Sequence, residues 1–347
     1  MTTVEDTTRN GRTVPSFTLS ASGVPHAVAA ATAAFKAAML AADRLILSGR
    51  AADDEVQARV SAACDALSEH LRTHLRAGEP DADEIGAFVH GETYPYLSLS
   101  TLIDRSYTKP RGYAGDFLTL QMVYDDEPQG VRRLGPYIDR WFLGIPASCA
   151  VKNRRGLLRD MIVDAARARP GGPIAIASLA CGPAREIFDV FAEPDHPALT
   201  ATCLDIDDQA LRYARGLAES LEVTEQMSFV QANVVKLALG RDRLAVADQD
   251  LVYSIGLIDY LVDGLVVRLL DWIHGVLRPG GTAVVGNFDV GNPDRAFMDH
   301  LLDWRLMHRS PDDLARLFAQ SAFGDALVDI RCEATGINLF ASARRAA

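Results

Sequence analysis

The chain runs to 347 residues, enough for two domains at roughly 100–200 residues each, and its 48% hydrophobic and 23% charged residues are the proportions of an ordinary globular protein. A formal net charge of -11, with only small basic clusters at Arg132-Arg133, at 152–155 and at Arg344-Arg345, argues against a nucleic-acid partner. Five scattered cysteines without CxxC spacing argue against a disulfide framework or a structural zinc, and no apolar run reaches the ~18 residues of a membrane span.

The first residues show no charged-then-apolar leader, so a reducing cytoplasmic location is expected. The small basic clusters read as solvated helix faces or a tail. Residues 1–23 are rich in Thr, Ser, Gly and Arg and read as a flexible arm. A helical domain follows over 24–170. Val28, Ala31, Phe35, Met39, Leu40, Ala42 and Leu45 recur at helical spacing, as do Val56, Val60, Cys64, Leu67, Leu71 and Leu75. A third helical region spans 81–104, with a break expected at Pro95. Further helical patterns occupy 117–124, 131–143 and 151–169. Between them lies Lys109-Pro-Arg-Gly-Tyr-Ala-Gly-Asp116, a turn-rich loop because of Pro110, Gly112 and Gly115.

A Pro/Gly cluster at 170–173 marks the expected boundary. After it, strands at 174–180, 199–204, 227–230, 250–253 and 282–287 alternate with helices at 185–191, 208–220 and 262–277. That alternation predicts parallel βαβ units. A helix at 311–319 then precedes two late strands, 326–330 and 337–341, which read as a hairpin-like pair.

In such sheets ligands bind beyond the carboxyl ends of the strands. The first strand ends in Ser178-Leu-Ala-Cys-Gly-Pro-Ala-Arg-Glu186, where Gly182 lets backbone approach a ligand and Ala180, Cys181 and Pro183 flank it. Asp205, at the end of the second strand, can accept hydrogen bonds from both hydroxyls of an adenosine ribose, with Ile206 beside it. Asn233 and Val234 can meet an adenine edge after the third strand, and Ser254 and Ile255 end the fourth. The plainer alternatives are that Gly182 is a tight turn and Asp205 a helix N-cap.

The order of strand, Cys-Gly loop, strand with terminal Asp and Leu277-Arg-Pro-Gly-Gly281 resembles the class I S-adenosylmethionine-dependent methyltransferases over about 174–343. The resemblance implies an α/β fold: a Rossmann-like, mostly parallel sheet with an antiparallel late strand, over 171–347. It also implies S-adenosyl-L-methionine as cofactor and S-adenosyl-L-homocysteine as product. The family's loop carries acidic-x-Gly-x-Gly-x-Gly, whereas Ser178, Ala180, Gly182 and Ala184 occupy those positions here.

A narrower resemblance joins the two regions. Lys109 to Asp116, Ser178 to Glu186, Gly256-Leu-Ile-Asp-Tyr-Leu261, and Gly286-Asn-Phe288 through Asp303-Trp-Arg305 are similar to the 3-hydroxypalmitic acid methyl ester synthases of bacterial quorum signalling. It implies that the helical domain covers a small-molecule methyl acceptor, in a monomer or homodimer. Arg111 and Tyr113 are candidates to touch the cofactor. Asp259, Tyr260, Asp116 and His308 are the catalytic candidates. Tyr107, Asn287 and Trp304 are candidates for the substrate side, and no metal is implied. A salt-bridged turn at 109–116, a cap at Asp259 and core packing of Tyr260 and Trp304 are the plainer alternatives.

Methyl transfer from a sulfonium is an in-line displacement with a neutral leaving group, so the protein supplies proximity, alignment and dryness. A carboxylate acceptor needs no base, which makes O-methylation of an acyl or other small acid the first expectation. N- or C-methylation in specialised metabolism is the second. A protein that binds the cofactor without catalysis is the third.

Overall fold

The computed structural model describes residues 5–9, 12–16, 24–75, 81–169 and 172–346. They form two compact units that interleave along the chain: 1–104, 129–141 and 295–303 in one, and 105–128, 142–294 and 304–347 in the other. A contiguous division near 170 is therefore not what the contacts draw, and 170–171 lie outside the described residues.

In the first unit, β1 (Glu5–Arg9) and β2 (Arg12–Ser16) pair antiparallel, within the stretch expected to be a flexible arm; 1–4, 10–11 and 17–23 lie outside the described residues. The apolar stripes drive α1 (His26–Ser48) and α2 (Asp53–His74) together. Phe35, Met39, Val60, Cys64 and Leu71 are all buried. Gly49, at φ 61°, ends α1, and Asp53, Asp54 and Glu55 in the first turn of α2 complement its dipole. α3 (Ala82–Leu97) runs through Pro95, which falls in its last turn, and the break before α4 (Thr101–Thr108) comes later. The later α12 (Arg295–Leu301) returns to pack against α2 and α3.

In the second unit, α5 (Phe117–Asp125) and α7 (Pro146–Arg167) precede the sheet; α6 (Gly135–Gly144) straddles the division. The sheet contains β3 (Ile174–Leu179), β4 (Leu199–Asp205), β5 (Met227–Gln231), β6 (Gln249–Ile255), β7 (Leu277–Phe288), β8 (Asp329–Cys332) and β9 (Asn338–Arg344). Its order is β5-β4-β3-β6-β7-β9-β8. The first five are parallel; β9 runs antiparallel to both β7 and β8. α7, α8 (Arg185–Phe191) and α9 (Asp208–Ser220) cover one face through Leu158, Ile162, Ile187 and Leu211. α10 (Val234–Ala238), α11 (Asp263–Val276) and α13 (Pro311–Ala319) cover the other through Leu237, Leu270 and Leu317. This is a Rossmann-like architecture, a mostly parallel sheet with an antiparallel late strand. Connections leave β3 in opposite directions, so the sheet's switch point, and hence its ligand crevice, lies beyond β3 and β6. Among the described residues no helix is long and apolar enough to cross a membrane.

Candidate active site

At the end of β3 the chain turns through Ala180 (φ 53°), Gly182 (φ 53°) and Ala184 (φ 49°) before α8 begins. These are the three positions at which the resembled loop carries glycine. The left-handed backbone is kept here with alanine at two of them, at a cost of roughly 1–2 kcal/mol each. Asp205, only 4% exposed, braces the turn: its Oδ2 accepts from the Gly182 amide at 2.8 Å and its Oδ1 from the Asp207 amide at 2.8 Å. Burial raises its carboxyl above the usual range, opposed by those amides. Each oxygen keeps a second lone pair for a ribose hydroxyl.

The 109–116 loop is tied down at both ends. Arg111 donates to both oxygens of Asp207 at 2.5–2.9 Å and to Gln209 Oε1 at 2.6 Å, with its guanidinium 5.0 Å from the centre of the Phe117 ring. Arg105 grips both oxygens of Asp116 at 2.7 Å, and Asp116 caps α5 by accepting from the amides of Leu118 and Thr119. Fully buried and so engaged, Asp116 is an anchor of the loop rather than the base considered from sequence. The strap carries Tyr113 and Gly115 to a cleft of about 350 Å³, which also includes Ala180, Gly182, Asp205, Ile206, Ile255 and Gly256.

The cleft's far wall comes from the loops after β6 and β7. Tyr260, Phe288, Trp304 and Leu306 line it. Trp304 Nε1 donates to the Tyr260 hydroxyl at 2.8 Å. A Cβ at Gly115 would stand 2.9 Å from that hydroxyl and 3.1 Å from the Trp304 ring, so only glycine lets the strap sit this low. Asp259 is buried, and its Oδ1 accepts from the Phe288 amide at 2.7 Å. Burial pushes its carboxyl up to about 6, against the pull of that amide, Arg154 and Arg309. Desolvation likewise holds the Tyr113 and Tyr260 phenols well above their ordinary range, so both stay protonated donors.

Several expected residues stand elsewhere. His308 is outside the cleft lining, its ring nitrogens 3.1 Å from Asn292 Nδ2 and from the Leu306 carbonyl. Asn287 is fully buried, donating to the Met307 carbonyl and accepting from Arg309 Nη1 at 2.7 Å. The Asn233 side chain caps α10 by accepting from the Lys236 amide at 3.0 Å, and Val234 packs into the core. The Ser254 hydroxyl donates to the Leu179 carbonyl at 3.1 Å. Tyr107 lies half-buried on α4, and Cys181 and Pro183 line a small chamber beside the cleft. Arg154, Phe117, Leu120, Phe288 and Leu306 line the cleft without having been singled out.

A braced turn after the first strand, a buried carboxylate after the second and a largely apolar cleft at the switch point fit a nucleoside cofactor bearing charged groups. Residues 176–281 match a family model described as a methyltransferase domain. That region is a methyltransferase domain. Among solved structures, a possible exported protein from Bordetella parapertussis is similar over 86% of this chain and 98% of its own, at 19% identity and a TM-score of 0.59; that likeness shows the fold. Magnesium protoporphyrin IX methyltransferase from Synechocystis PCC 6803, with bound S-adenosylhomocysteine, is similar over 70% of this chain and 98% of its own, at 11% identity and a TM-score of 0.47. The methyltransferase SibL is similar over 91% and 97%, at 18% identity and a TM-score of 0.47. At such TM-scores these two overlays establish nothing more. No curated protein matches the chain.

Proposed function

We propose that this methyltransferase esterifies the carboxylate of a small molecule with an apolar body. The observation that carries the proposal is the Tyr260 hydroxyl. Its oxygen already accepts from Trp304, so its own proton is left to donate into the cleft, and it resists ionisation. Tyr113 brings a second protonated phenol to the same space. Two such donors suit an anionic oxygen acceptor, while Phe288, Leu306 and Trp304 suit its apolar remainder. Among the described residues no histidine lines the cleft, and a carboxylate is ionised near neutral pH without help. Bound S-adenosylmethionine supplies the methyl group. The protein's residues align the acceptor oxygen with it and keep water out. The resemblance to the 3-hydroxypalmitic acid methyl ester synthases favours an acyl acid as the acceptor class.

Asp259 favours a second reading. A buried carboxyl near 6 at the cleft wall is placed to take a proton from a hydroxyl, amine or activated carbon. The two readings part on chemistry and on pH. Methyl transferred from labelled cofactor to a carboxylate is released as methanol by mild alkali; an N- or C-methyl is not. A base must be unprotonated, so base catalysis by Asp259 would lose about tenfold in kcat/KM per pH unit below about 6. Esterification is expected to show no such limb, and Asp259→Asn to retain activity within about tenfold, whereas loss of a base costs roughly 10²–10⁴-fold. Alkali-stable label, or an activity lost with Asp259→Asn, overturns the ester reading.

A further inference from the structure

β8 (Asp329–Cys332) closes the seven-stranded sheet on one side, and among the described residues no strand lies beyond it. Its pairing with β9 fixes which backbone groups are left over. The Glu333 amide donates to the Asn338 carbonyl, and the Asp329 carbonyl accepts from the Ser342 hydroxyl. Hydrogen-bonded pairs alternate with non-bonded ones along an antiparallel ladder. Arg331, opposite Phe340, and Asp329, opposite Ser342, therefore turn their amides and carbonyls to β9. Ile330 and Cys332 turn theirs outward.

Such an edge can take another strand, and proteins commonly blunt it with lysine, proline or a bulge. Ala326-Leu-Val-Asp-Ile-Arg-Cys332 holds neither residue, and its register with β9 is unbroken. It carries instead one acid and one base two residues apart. Arg331 Nε lies 2.9 Å from Asp329 Oδ2, and both side chains are exposed. The pair is self-complementary. A two-fold axis through Ile330 sets each Asp329 opposite Arg331 of a second copy. Those are non-hydrogen-bonded positions of the new ladder, where facing side chains come closest. Four charges then alternate in sign around the axis, while the outward groups of Ile330 meet those of its counterpart. Leu327 lines the same groove as Asp329 and Arg331 and is 89% exposed, the most of any large apolar side chain among the described residues. The same axis brings it against the turn that follows β8 in the second copy.

We propose that the chain self-associates through this edge, two β8 strands pairing antiparallel about Ile330 to join two sheets into one. The contact is small, so a Kd on the order of 1–100 μM is expected. Sedimentation velocity of the full chain across that range reads the mass. Asp329→Arg, or Arg331→Asp, sets like charges opposite one another and is expected to weaken the dimer by about tenfold or more. Both reversals in one chain restore the alternation and are expected to return the Kd to within about threefold of wild type. All three variants are expected to melt close to wild type, because an exposed ion pair contributes little. Val328→Cys tests the register. It places a thiol opposite Cys332 of the second copy, at the ~5.5 Å Cα separation that a disulfide spans. Oxidised glutathione, taking up two electrons and two protons for each disulfide made, is expected to convert that variant to a covalent dimer. In the wild type the two Cys332 thiols stand four residues apart along the ladder, about 13 Å, and are expected not to join. A chain that stays monomeric throughout the range overturns the proposal. So does a dimer indifferent to the single reversals, one that the double reversal fails to restore, or one in which Val328→Cys forms no disulfide.

Discussion

Asp205→Ala is expected to weaken S-adenosylhomocysteine binding by about 10–100-fold, the cost of leaving buried ribose hydroxyls without their acceptor. The size of the effect follows from how the carboxylate is held. Asp205 is 4% exposed and fixed by the Gly182 and Asp207 amides at 2.8 Å, so no neighbouring group can swing in to replace it. The same bonds give the substitution a second consequence, since two amides of the turn lose their acceptor. Asp205→Asn separates the two effects. It keeps one amide bond and the side-chain volume, and is expected to bind more tightly than the alanine variant while remaining weaker than wild type. Calorimetry on both variants, with melting curves to show that they are folded, reads the result. An unchanged affinity in Asp205→Ala would remove Asp205 from the cofactor site.

Tyr260→Phe is expected to lower kcat/KM by about 10-fold or more, the range for deleting a pre-positioned donor at a partly exposed cleft wall. It should leave S-adenosylhomocysteine affinity within about threefold, because Asp205 and the 180–184 turn are untouched. The ring stays, so the cleft keeps its wall. What disappears is the proton offered to the acceptor and the oxygen that takes the Trp304 Nε1–H at 2.8 Å. Loss of the latter alone would loosen Trp304 and lower the Tm. Trp304→Phe therefore serves as the partner variant, since it removes that hydrogen bond while leaving the Tyr260 proton. If Trp304→Phe costs as much activity as Tyr260→Phe, the hydroxyl acts by packing rather than by donation. Undiminished kcat/KM in Tyr260→Phe would contradict the ester reading directly.

The sheet was readable because most of its parallel strands are short apolar runs bounded by turn residues, and because α9 and α13 carry clear amphipathic stripes. Gly182 and Asp205 were both expected beside one turn, and the Asp205 carboxylate does accept from the Gly182 amide there. A short element escaped: α10 spans 5 residues, too few for a helical period to show. Pro95 was expected to break a helix, yet it lies within the last turn of α3 and ends nothing.

The site was less legible than the fold, for a different reason. The cluster at 152–155 reads as a solvated basic face, and Lys152 does behave so, pairing with Asp126 at 2.6 Å. Arg154, two residues on, points the other way and is buried. Periodicity shows which face of a helix is apolar, not that a cation has been placed on that side beside the cleft. Asp116 and His308 failed for the converse reason. Both are residue types suited to catalysis, and only tertiary contacts reveal that Arg105 and the start of α5 hold the first, while the second lies outside the cleft.

The most direct test of the central claim is hydrogen exchange of the intact chain with and without saturating S-adenosylhomocysteine. Ligand at this cleft is expected to slow exchange at four separated segments: the strap at 111–117, the turn at 180–184, the stretch at 205–207, and the loop at 254–260. Protection confined to other segments, or none despite saturation, would contradict it.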